Sequence, residues 1–124
     1  MKPVDDRRAV GAKGEELAAR FLAAKGFEIV ERNYRAGRGE IDLVAREGET
    51  LVFVEVKLDR TGRFGHPAGW VDHKKRRQIV RTALGYLQEH SLGDMDCRFD
   101  VVVIRLLPGG MSIEHIPNAF WAEG

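Results

Sequence analysis

Glu55 and Lys57 stand two apart on an alternating apolar segment, so both project from one face of a strand. Leu51 and Phe53 precede them on that face, and the strand passes from core to polar chemistry along its length. If Gly48-Glu49 is a two-residue turn, strand partners sum to 97, which sets Asp42 opposite Glu55 and Glu40 opposite Lys57. Two carboxylates facing across an antiparallel pair, Cβ atoms about 5 Å apart, repel one another. A hard divalent cation between their oxygens removes the repulsion, because such ions take carboxylate ligands. The plainer alternative is an exposed strand end with scattered charges and an ordinary Glu40–Lys57 ion pair. Register decides between them, since a one-residue slip moves Asp42 to the other face. Glu15 joins the candidates from a helix: on a helical wheel it lies beside Gly11, Ala18 and Leu22, at the flank of the buried stripe. A solvated helix glutamate is the competing reading.

A second chemistry is carried by cations. From Lys57 to Arg81 eight Lys/Arg face only Asp59 and Asp72, a local net of +6, whereas the whole chain nets only +1. Lys74, Arg77 and Arg81 share one side of a helix, Lys75 and Arg76 fall in its first turn, and Arg60 and Arg63 precede them on a glycine-rich loop. Such a cluster binds phosphate backbones without reading bases. A solvated helix face would show the same residues, yet a basic first turn works against the helix dipole and so favours a binding role. Trp70, Phe64 and Tyr34 have the rings to stack on bases, although aromatics beside loops more often close a core edge. His66 and His73 read as surface residues, Asp100 as a satisfied structural carboxylate, and Cys97 as buried and inert. No glycine-rich phosphate loop follows a strand, and no Ser/His/Asp arrangement is present.

These residues need elements to hold them. Val10, Gly14, Leu17, Ala18, Phe21, Leu22 and Ala24 form one stripe at the helical period from Arg7 to Lys25, with Asp5 or Asp6 as N-cap and Gly26 as the stop. Strands follow at Phe27–Arg35, Glu40–Arg46 and Thr50–Lys57. After an irregular stretch from Asp59 to Trp70, Asp72 caps a second helix whose buried stripe is Ile79, Val80, Ala83, Leu84 and Leu87. Arg98–Leu107 and a strand around Met111–Ile116 complete the order α-β-β-β-α-β-β. A meander, a crossover helix and a further strand imply a central mixed five-stranded sheet in an α/β sandwich, with the fourth strand parallel to one of the first three.

The totals bound the rest. At 124 residues the chain suits one domain over residues 1–124, its core spanning about 7–120. A hydrophobic share of 44% and a charged share of 31% describe an ordinary soluble globular protein. No apolar run is long enough for a membrane helix, and the charged opening residues lack a signal core, so a cytoplasmic protein without membrane partners is expected. A single cysteine excludes an internal disulfide and a cysteine-built metal cage.

The segments Gly14-Glu15-Glu16-Leu17-Ala18, Asn33-Tyr34-Arg35, Gly39-Glu40-Ile41-Asp42-Leu43, Val52-Phe53-Val54-Glu55-Val56-Lys57, Phe64-Gly65-His66-Pro67, Arg98-Phe99-Asp100-Val101 and Asn118-Ala119-Phe120 closely resemble the YraN family. The motifs occur in the expected order from about Gly11 to Phe120. That family belongs by its fold with the PD-(D/E)xK, restriction-endonuclease-like nucleases and is similar to archaeal Holliday junction resolvases. The resemblance implies that Asp42 is the motif aspartate, Glu55 its acidic partner, Lys57 its lysine, and Glu15 the helix glutamate completing the cluster. It further implies a Mg²⁺ or Mn²⁺ at Asp42 and Glu55 with the Val56 carbonyl. Glu15 would serve a second ion or orient water, and Lys57 would position or deprotonate the attacking water or offset phosphorane charge. Two positions depart from the pattern: Asp59 stands where an arginine is usual, and Gly69 where a glutamate is common. The expected function is metal-dependent endonuclease-like hydrolysis of structured or branched DNA, with DNA as partner through Arg60, Arg63, Lys74, Lys75, Arg77 and Arg81. A homodimer would let two strands be cut. A non-catalytic nucleic-acid-binding module and a protein-binding adaptor remain the alternatives.

Overall fold

Helix formation at the start of the chain is closed by a glycine that can turn left-handed. In a computed structural model, which describes residues 7–60 and 71–120 with side chains from Lys13, α1 spans Arg7–Ala24. Gly26 takes φ +99°. The Phe27 N–H then donates to the Leu22 carbonyl and the Gly26 N–H to the Ala23 carbonyl, each at 3.0 Å, the paired bonds of a Schellman stop. The expected caps Asp5 and Asp6 lie outside the described residues.

Three antiparallel strands follow: β1 (Glu28–Ala36), β2 (Gly39–Glu47) and β3 (Thr50–Asp59). The tight turn at Gly48-Glu49 sets the β2–β3 register at Glu47 opposite Thr50 through Leu43 opposite Val54, as the spacing predicts. α2 (His73–Glu89) crosses over, so β4 (Cys97–Leu107) runs parallel to β3, and β5 (Gly110–Phe120) returns antiparallel along β4. The sheet order is β1-β2-β3-β4-β5, mixed and five-stranded, in the α-β-β-β-α-β-β sequence that the spacing predicts. No helix among the described residues is long and apolar enough to cross a membrane.

Each face of the sheet carries its own core. Ala18, Ala19 and Leu22 of α1 pack on Leu43, Ala45, Val52, Val54, Val102 and Ile104. Ile79, Ala83, Tyr86 and Leu87 of α2 pack on Ile41, Val44, Phe53, Val101 and Val103. The expected stripe of α2 needs one correction: Leu84 is 60% exposed and Val80 only half-buried, while Thr82 and Tyr86 are buried. Tyr86 is taken inside by edge-on packing against Tyr34 and Phe53, and its rings outweigh the simple apolar count that favours leucine. Thr82 is admitted because its hydroxyl donates to the Gln78 carbonyl. Cys97 also differs from expectation. As the first residue of β4 it is exposed, and partial desolvation with the nearby Asp96 charge holds its thiol above the ordinary range, which disfavours the reactive thiolate.

One irregularity positions everything that follows. Arg32 meets Glu16 on α1, whereas Tyr34, two residues on, bonds Glu89 on α2 at 2.7 Å. Regular alternation would put both on one face. Asn33 between them has φ 52°, a left-handed residue that switches the face. On β2 the same switch separates Leu43, which faces α1, from Ile41, which faces α2, and Asp42 sits at the break.

Candidate functional site

The break opens a gap between β2 and β3. Their register runs from Glu47 to Leu43, and at the next step the Asp42 carboxylate accepts the Val56 N–H at 2.8 Å where a main-chain bond would have stood. Glu15 comes down from α1, and Glu40 lies two residues before Asp42 on β2. One carboxylate oxygen from each of Glu15, Glu40 and Asp42 lies within 4.8 Å of the others, all three half-buried. From β3, Glu55 is 8% exposed, and Lys57 places its ammonium 3.9 Å from the Glu55 carboxylate.

The crowding is visible in the protonation of the groups. Burial, then the charge of Asp42, pushes the Glu15 carboxyl up, partly offset by a hydrogen bond with Asn33. The shared Glu15–Asp42 hydrogen bond acts upward on Glu15 and downward on Asp42. Burial also raises Asp42 against the Val56 N–H, and Lys75 opposes the rise. Glu55 is pushed up to about 7 by burial and by Asp42, against the pull of Lys75 and Lys57. For Asp42 and Glu55 the pull of the nearby lysines does not outweigh burial. The donors are all carboxylate oxygens, with neither His nor Cys, and such a set fits a hard divalent cation.

The structure therefore brings Glu15 and Asp42 together with a residue the spacing argument assigned elsewhere. Glu40 does not pair with Lys57; its ion pair is with Arg35, its cross-strand neighbour, at 3.7 Å. The signal that could have found it is its place two residues before Asp42.

The cations line a cleft of about 700 Å³ between the β1–β2 turn and the first turns of α2. Lys74, Lys75, Arg77 and Arg81 form the helical wall. Gly37, Arg38 and Gly39 form the other, a contribution absent from the sequence argument. Gln78 Nε2 donates to the Arg38 carbonyl at 2.8 Å, and a Cβ on Gly39 would fall 1.8 Å from Thr82 Oγ1, so turn and helix are held in close contact. The Asp72 carboxylate caps α2 by accepting the Lys75 N–H at 2.8 Å. Arg76 points away and lies over the Phe120 ring. Arg60 is exposed after β3 and does not line the cleft. Arg63, Phe64, His66 and Trp70 lie outside the described residues. Tyr34 closes the core edge on Tyr86, and His73 is exposed at the start of α2.

Asp100 is structural, as expected. Fully buried, it accepts from Arg98 Nε at 3.0 Å and from the Asn118 N–H at 2.9 Å, and bonds His115 Nε2 at 2.7 Å. Burial alone would raise its carboxyl; the bonds from His115, Arg98 and Asn118 outweigh it and hold the group below the usual range.

Comparison with known proteins places this chain among close relatives. The model of an uncharacterised protein family, UPF0102, matches residues 14–104. A UPF0102 protein of Geobacter sulfurreducens is 46% identical over 114 residues, covering 91% of this chain and 89% of the relative. One from Pelobacter propionicus is 50% identical over 118 residues, covering 93% and 84%. Among solved structures, Pyrococcus furiosus SfsA in complex with Ca²⁺ aligns with TM-score 0.41 and 14% identity, covering 90% of this chain and 64% of that one.

Proposed function

The chain belongs to the uncharacterised family UPF0102, the YraN family that its motifs resemble, and we propose that it is a divalent-metal-dependent nuclease acting on structured or branched DNA. The observation that carries the reading is the meeting of Glu15, Glu40 and Asp42 oxygens within 4.8 Å beside the Glu55–Lys57 pair. In it the cluster residues Asp42, Glu15 and Glu40, with Glu55 from β3, would hold a Mg²⁺ or Mn²⁺ that polarises the scissile phosphodiester. Lys57 holds the attacking water in line and offsets the charge that develops on the phosphorane. The Asp42 carboxylate is fixed by the Val56 N–H and so needs little reorganisation. Cations of the cleft, with Arg60 and Arg63 on the loop, bind the flanking phosphates. On this reading the whole chain acts as one domain in the cytoplasm, and a homodimer would serve paired cuts.

The test is a thermal melt of the parent and of Asp42→Asn, with and without Mn²⁺, beside cleavage assays on duplex, single-stranded and four-way-junction DNA. The parent gains stability with Mn²⁺ by mass action and the variant gains much less. Cleavage is lost in Asp42→Asn and in Lys57→Ala while both stay folded. Equal stabilisation of parent and variant removes Asp42 from the site. The basic cleft supports a second reading, a binding module without cleavage, and a parent that binds metal and junction DNA yet cuts nothing would establish it.

A further inference from the structure

We propose that the cleft between the β1–β2 turn and α2 holds one unpaired nucleic-acid strand by its sugar–phosphate backbone and leads it to the carboxylate cluster. The inference rests on the nucleic-acid reading above and narrows it to a substrate class: molecules with a single-stranded arm beside the point of attack.

Most of the cleft's charge is unspent. Arg38, Lys74, Lys75, Arg77 and Arg81 line it, none of the five forms an ion pair with a described residue, and only Lys75 lends its charge to Asp42 and Glu55. Among the described lining residues the one acid, Asp72, is occupied as the N-cap of α2. Cations gathered in a groove without partners are arranged for an anion from outside. Among the described residues the lining contains no aromatic ring, so these walls offer bases no stacking platform. Gly37 and Gly85, with open space where a side chain would stand, leave stretches of the wall where a sugar–phosphate chain can approach closely.

Size and stiffness then select a single strand. A cleft of about 700 Å³ falls in the range of small-ligand sites, room for roughly two nucleotides. A duplex, whose major groove alone is about 12 Å wide, does not enter it. Widening is opposed, because the Arg38 carbonyl is bonded to Gln78 and Gly39 rests against Thr82. The two regions meet on β2: Gly39 lines the cleft, and the next residue, Glu40, is one of the three clustered carboxylates. A strand lying along the cations therefore runs towards the cluster.

The experiment is fluorescence anisotropy in EDTA, with a short labelled oligothymidylate, the same strand as a blunt duplex, and an abasic strand of equal length. The single strand should bind about tenfold or more tighter than the duplex, and the abasic strand should bind nearly as well as the oligothymidylate. Arg38→Ala should weaken single-strand binding and lower the salt slope by about 0.7, the equivalent of one phosphate. That variant keeps the fold, because the carbonyl and not the side chain of Arg38 bonds α2. Arg38→Lys should restore most of the affinity. A duplex that binds as tightly as the single strand, a large loss with the abasic strand, or an unchanged Arg38→Ala overturns the proposal. Asp42→Asn separates it from the cleavage reading. If that variant and the parent both bind the strand and the parent cuts nothing with Mn²⁺, the nuclease reading falls and the strand cleft stands.

Discussion

Glu55 is where the site's chemistry can be read most directly from outside. Its carboxyl is pushed up to about 7 from an ordinary 4.5, first by burial and then by Asp42. The folded protein thus holds this proton more tightly than the unfolded chain does. The contribution to stability is complete below the unfolded value and is lost as pH rises through about 7. A divalent ion needs the carboxylate, so metal affinity should change in the opposite sense, growing across the same window with release of protons. Melts of the parent and Glu55→Gln, from about pH 5 to about pH 8, with and without Mn²⁺, read both effects. We expect the metal-free parent to lose ground to the variant as pH rises, and the Mn²⁺-induced gain of the parent to increase. A metal-free difference that is flat across the window would mean that Glu55 is not desolvated as described. At this scale period-two spacing singled out Asp42, Glu55 and Lys57, and the structure draws Asp42 into the carboxylate group and sets Lys57 3.9 Å from Glu55. Glu40 obeyed the same rule but was assigned to an ion pair, because one register could satisfy either partner. Its true neighbour, Arg35, belongs to a strand whose pairing with β2 the turn at Gly37-Arg38 fixes.

The elements were legible where local chemistry dictates them. Gly48-Glu49 set the β2–β3 register, Asp72 announced the start of α2, and Gly26 the end of α1. The face switch at Asn33 and Asp42 was not, because a left-handed asparagine inside an alternating strand looks like any other polar residue. Yet that switch opens the gap in which Asp42 stands. The burial of Thr82 is explained by the same end of the sheet: β2 comes so close to α2 that only glycine fits at position 39. Gly39→Ala should therefore cost about 2 kcal/mol, the usual range for overpacking, and should also disturb the cleft wall. Thr82→Ala removes the nearest atom, and the double variant should recover part of the loss in urea unfolding. Additive losses in the double variant would show that the contact does not limit the approach.

Across the whole molecule, charge is sorted by position. The stretch from Lys57 to Arg81 carries +6 in a chain whose net is +1, so the remainder is acidic. Four cleft cations come from the basic stretch, and the carboxylate cluster comes from the acidic remainder. Charges of opposite sign are thus sorted to separate places, and one polyanion can meet both an attractive wall and an acidic cluster that needs a cation before it can approach. Replacing Lys74, Arg77 and Arg81 together with alanine should weaken DNA binding at all sequences and flatten its salt dependence by about 2, near three phosphate contacts on a single strand. Unchanged affinity and slope would return this helix face to simple solvation. The parallel pairing of β3 with β4 adds a consequence in time. Leu51 meets Cys97 only after the chain has travelled through all of α2, a slow closure, whereas the β1–β3 meander closes on near neighbours. Glu15, Glu40, Asp42 and Glu55 all precede β4 in the chain, and the contact-order argument predicts that they gather before the sheet is finished and before α2 brings its lysines. Mn²⁺ added during refolding should then quicken folding itself, and a stopped-flow trace in which it slows only unfolding would place the cluster among the last parts to form.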